Sequence, residues 1–105
     1  MNVAPVAPGG PMTDRRLRQV AAVAAAIESE RATRRVDWFM RAARTSPGVV
    51  VDVRSVIAAR AAADVAATTH RTALAALDVD DRNALHGARL TALEVTLAHL
   101  TRGQR

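Results

Sequence analysis

The chain has no cysteine, no lysine and no tyrosine, and its only aromatic residues are Trp38 and Phe39. The absence of cysteine excludes disulfides, thiolate metal sites and thiol catalysis. The longest uninterrupted apolar run, Val20 to Ile27, is far short of the roughly 20 residues needed to cross a bilayer. Residues 1–12 show neither the basic region nor the apolar run of a secretory signal, so a cytoplasmic protein without membrane association is expected. All fifteen basic residues are arginine. Beside so much alanine and valine, that choice reads as the coding bias of a G+C-rich genome, and the net charge of +5 is discounted as evidence for a partner.

What is present is alanine, 24 residues of it, in a chain that is half apolar. Alanine favours helix strongly but contributes little burial per side chain. A thin core of closely approaching helices is therefore expected, of the kind that often needs a partner subunit to exclude water. Three of the four prolines and two of the five glycines fall in residues 1–12, which read as a disordered tail. Residues 13–105 read as a single helical domain.

From Asp14 to about Thr45 there is no proline or glycine. Leu17, Val20, Ala24 and Ile27 make one apolar stripe there, and Ala32, Val36, Phe39 and Ala43 another, nearly opposite. One long helix burying different faces at its two ends is expected, with Thr13 as N-cap. Ser46, Pro47 and Gly48 mark the next boundary. A second helix is expected from Gly48 or Asp52 to Leu77, with Val53 and Ile57 on its apolar stripe and an Arg60–Asp64 pair extending it; a short strand at Val49 to Val53 is the rival. Thr68, Thr69 and Thr72 around His70 favour fraying or a kink. Asp78 or Asp80 should cap a final helix from Asp81 to about Arg102.

On that final helix Asn83, His86, Leu90, Leu93, Leu97 and Leu100 alternate steps of three and four, which is a heptad seam. Four leucines on one stripe must be covered, within the chain or by a second copy. The expected fold is all-α, three main helices in an up-down-up bundle with long first and second helices, the last helix central, completed by self-association. Leu90, Leu93, Leu97, Leu100 and His86 are the protein-interface candidates, and His86 at such an interface would make association sensitive to pH.

The second constellation is Arg31, Arg34, Trp38 and Arg41, spaced to share one helical face, with Arg35 beside it. Guanidinium and indole groups together can stack on bases and neutralise phosphates. The first expectation for Trp38 is nonetheless that it continues the Ile27 stripe into a core, with arginine stems packed along it, ahead of anchoring another protein or binding nucleic acid. Residues 1–46 carry eight arginines against four acids, and residues 47–105 seven against six, so positive charge gathers on the first helix. The acids Asp78, Asp80 and Asp81 fail the calcium-loop pattern, because Arg82, Asn83 and Ala84 occupy positions that need ligands and a glycine. They read as helix caps. Residues 56–74 lack the glycine and packed aliphatics of a helix-turn-helix. No catalytic residue, metal ligand, cofactor or small-molecule substrate is indicated. The expected function is a non-enzymatic helical interaction module that self-associates or docks on a protein through the leucine seam, and the alternative is an arginine-rich nucleic-acid-binding protein using the first helix.

Overall fold

The computed structural model describes residues 13–45, 48 and 51–102, so the expected tail at residues 1–12 and the first two residues of the candidate strand, Val49 and Val50, lie outside the described residues; Val51 and Asp52 are not in a strand, and Val53 begins a helix. Among the described residues four helices follow in order: α1 (Asp14–Thr45), α2 (Val53–Ala75), α3 (Val79–Leu85) and α4 (Leu90–Thr101). The all-helical class agrees with expectation. The number of helices does not, because the expected final helix is two.

The α1 helix runs 32 residues without a break. The Thr13 hydroxyl accepts a hydrogen bond from the Arg16 backbone N–H at 3.2 Å, Asp14 and Arg44 complement the helix dipole at its two ends, and nothing between them interrupts the ladder. It serves two neighbours, since α2 and α4 both pack principally on α1; of the expected first stripe only Ile27 is buried, beside Val23 and Ala26, and Leu17 is exposed. The central element is thus the first helix, not the last.

The α2 helix starts at an Asp52 cap whose carboxylate accepts from the Arg54 N–H at 3.0 Å. It lies antiparallel to α1: Arg60, Ala63 and Asp64 sit beside Thr33 and Val36, and Ala66 and Thr69 beside Ala21 and Ala25. Its inner face is small, with Ala59 buried and Val56, Ala63, Ala66 and His70 half-buried. Val53 and Ile57 point outward, 68% and 63% exposed, which reverses the expected stripe. Alanines allow α2 to approach α1 closely, and the bulkier side chains are left on the far side. The threonines do not break the helix; Thr68 and Thr69 hydroxyls bond back to the Asp64 and Val65 carbonyls at 3.0 Å each.

A short turn leads into α3, which Asp78 caps by accepting from the Asp81 N–H at 2.9 Å. The helix stops at His86, and Gly87 takes φ +70°, the left-handed conformation that ends helices and that side chains with a Cβ resist. The chain then reverses into α4, where Leu93, 2% exposed, packs on Val23, Ala26 and Ile27 of α1, flanked by Leu85, Ala88, Leu90, Leu97 and Leu100. Each fully buried Val, Ile or Leu stabilises the fold by about 1.5–3 kcal/mol. The remaining buried apolar residues are Ala22, Ala25, Ala59 and Leu77, so half of this core is alanine, as the composition anticipated.

Candidate interaction surfaces

Two surfaces were expected, and the structure separates them. The leucine seam survives only on α4. Leu93 is fully covered by α1, and Leu90, Leu97 and Leu100 are half-buried around it. Asn83 and His86 are exposed and leave the seam, because the Gly87 turn rotates α3 away from the direction of α4. His86 caps the α3 C-terminus instead, its backbone N–H donating to the Asn83 carbonyl at 3.1 Å.

The arginine face is intact and open. Arg31, Arg34, Arg35, Trp38 and Arg41 are all exposed on the second half of α1. Trp38 continues the stripe that α4 covers farther back, but α4 is too short to reach it, and the indole is 60% exposed. That removes the core role for Trp38. Its ring stands edge-on to Phe39, centroids 5.1 Å apart at 76°, a favourable quadrupole geometry that orients the indole. Arg31 is partly engaged, with Glu94 at 3.4 Å and Glu28 at 3.8 Å. These pairs are exposed and contribute little to stability; their effect is to tie the near end of the arginine face to α4.

The acids at the start of α3 have structural partners. Asp81 is buried, and Arg15 of α1 grips it bidentately, Nε to Oδ2 at 3.0 Å and Nη2 to Oδ1 at 2.7 Å. The hydrogen bonds from Arg15 hold the Asp81 carboxyl below its ordinary range, against the opposing effect of its burial, and the charge of Arg15, a hydrogen bond from Gln19 and the charge of Arg18 add to the lowering. The same contact raises the Arg15 guanidinium further above its usual value. Arg82 turns the other way and donates to the Leu74 and Leu77 carbonyls at 3.2 and 3.0 Å, satisfying acceptors at the end of α2. Among the described residues no cluster of His, Asp and Glu is arranged to hold a metal ion, and no helix is long and apolar enough to cross a membrane.

A third surface was not anticipated. Val53, Ile57 and Val65, at 68%, 63% and 67% exposure, all lie on α2 and face away from α1. Arg60 and Asp64 line one edge of this face and are not joined by the ion pair that their spacing suggested; Asp37 of α1 lies across the groove from them. The available signal was the alanine heptad Val56, Ala59, Ala63, Ala66 and His70, which competes with the Val53, Ile57 stripe for the inner position. No protein-family model, characterised protein or solved structure matches the chain.

Proposed function

We propose that this chain is a non-enzymatic helical interaction module, completed by association with another protein surface or a second copy of itself. The observation that supports this is an imbalance. Among the described residues the only buried apolar side chains larger than alanine are Val23, Ile27, Leu77 and Leu93, whereas Leu17, Trp38, Val53, Ile57, Val65, Val79 and Val95 are each more than half exposed. Large apolar side chains left in water at this density favour association, since covering them gains roughly 25 cal/mol per Å². The leucine seam contributes what its half-buried flanks, Leu90, Leu97 and Leu100, leave uncovered. Sedimentation measurements of the full chain over a range of concentrations test the self-association arm, and capture of a defined stoichiometric protein partner tests the docking arm. A monomer at millimolar concentration that also binds no protein overturns the proposal.

A second function is favoured by the exposed Arg34, Arg35, Trp38 and Arg41: binding of single-stranded nucleic acid along the second half of α1. Affinity for an oligonucleotide must then fall with salt, and replacing Arg34 and Arg41 with alanine should flatten the logarithmic slope by about one to two units. Trp38→Ala should weaken binding by about 1–3 kcal/mol with the slope nearly unchanged. Absence of binding at low salt overturns this second function.

A further inference from the structure

The outer side of α2 carries an exposed apolar stripe with opposite charges along one edge. Ile57, Ala61 and Val65 follow one another at steps of four and so run along one side of the helix, with Val53 a turn before them. All four are exposed. Arg60 and Asp64, also exposed, lie together on one edge of this stripe, and Ala58 and Ala62 lie on the other.

We infer that this side of α2 binds the same side of α2 in a second copy of the chain, antiparallel about a twofold axis at Ala61. This rests on the self-association arm of the proposed function and names its surface. Three features of the sequence and structure converge on it. Centred on Ala61, an antiparallel pair sets Ile57 opposite Val65 of the partner subunit, and the reverse, so each large apolar side chain meets another. Ala61 at the axis lets the helices approach closely. A twofold axis perpendicular to antiparallel helices also brings the same edge of each together. Arg60 then lies within about 3 Å, along the helix, of Asp64 of the partner subunit and as near to Arg60 of the partner subunit, so the shared edge runs aspartate, arginine, arginine, aspartate, and each carboxylate flanks an arginine of the other chain. A parallel pairing sets the charged edge against Ala58 and Ala62 instead and leaves all four charges without partners, so the electrostatics select the antiparallel orientation. One helix pair of this length is a small interface, of the kind found in weak and transient associations.

The experiment uses the full chain and two kinds of variant. By sedimentation, the wild-type chain should dimerise, and Arg60→Glu and Asp64→Arg should each weaken dimerisation at least tenfold. Mixing these two variants one to one should restore it, because each then supplies the charge that the other lacks; pairing within one chain cannot produce this rescue in trans. Since the protein has no cysteine, single-cysteine variants report orientation directly. Ile57→Cys mixed with Val65→Cys should cross-link under mild oxidation, whereas Ile57→Cys alone should not, its two copies lying about 12 Å apart along the helices, beyond the roughly 7 Å limit between Cα atoms for a disulfide. These side chains are outside the core, so circular dichroism should show unchanged helix content. A wild-type monomer at every concentration overturns the inference and leaves docking on a different protein standing. A dimer indifferent to all of these variants overturns it and moves self-association to another surface.

Discussion

Between Val20 and Ile27, α1 buries Ala22, Val23, Ala25, Ala26 and Ile27; between Arg31 and Thr45 none of its residues is buried, although Val36, Phe39 and Met40 are half-covered. The helix itself is equally regular in both halves. The difference lies in what reaches them. At 1.5 Å per residue α1 is about 48 Å long and α4 about 18 Å, so α4 covers only the first half and, among the described elements, leaves α2 as the main neighbour of the second. Helix formation and burial are separate outcomes here: alanine, arginine and the lack of breakers form the helix, and the length of a different element decides which part of it becomes core.

Removing the cover should break this contrast most severely. Leu93→Ala leaves a cavity against Val23, Ala26 and Ile27 and is expected to cost about 2–5 kcal/mol. At roughly 4–8 °C per kcal/mol for a domain of this size, chemical and thermal unfolding should show Tm falling by on the order of 10 °C, or loss of a cooperative transition. An unchanged Tm would mean that α4 does not cover α1 in solution.

A smaller effect is expected where α3 is fastened to the start of the covered half. Asp81→Asn removes the charge that Arg15 grips and should lower Tm at neutral pH. Because the Asp81 carboxyl is held below its ordinary range only in the folded chain, its contribution is fully present above about pH 4, the unfolded value, and is lost as pH falls through the folded value. The gap in Tm between wild type and variant should therefore begin to close only as pH falls below about 4. Asp80→Asn serves as the control, since that carboxylate lacks the arginine contact.

Gly87→Ala tests how α4 is turned back onto the covered half. A Cβ there meets nothing within 4 Å, so only the left-handed backbone at φ +70° opposes it, at roughly 1–2 kcal/mol. A stability equal to wild type by denaturant unfolding would show that the turn tolerates a different backbone.

The smallest effect belongs to the uncovered half. Trp38→Ala should change stability by about 0.5 kcal/mol or less, and the native tryptophan emission should be red-shifted and readily quenched. Blue-shifted emission, together with a large loss of stability, would show that something covers this half after all.

These contrasts also explain what could be read from the residues in advance. The unbroken α1, the caps at Thr13 and Asp78, and the alanine-heavy core follow from local chemistry that tertiary packing does not override; the first stripe does not, since the buried residues beside Ile27 are Val23 and Ala26 while Leu17 is exposed. The α3–α4 break was hidden because Asn83 and His86 keep heptad steps with Leu90, so periodicity ran through a turn that only Gly87 betrayed. The expected face of α2 differs from the observed one because side-chain size does not mark the inside here. Between helices that meet over alanine, the small residues mark it, and Val53 and Ile57 are displaced outward. The arginine face was legible as a face, since i, i+3 and i+4 spacing is a property of the helix alone. That Trp38 stands in solvent was not, because it depends on where α4 ends.

Asp81 and Arg82 are adjacent in the chain yet hold different helices, Asp81 the Arg15 side chain of α1 and Arg82 the Leu74 and Leu77 carbonyls at the end of α2. One turn of α3 therefore joins the beginning of the described chain to its middle. Amide protons at the start of α1, the end of α2 and α3 should for that reason exchange with solvent as one cooperative unit, with similar opening free energies, while those of residues 38–45 exchange earlier and independently.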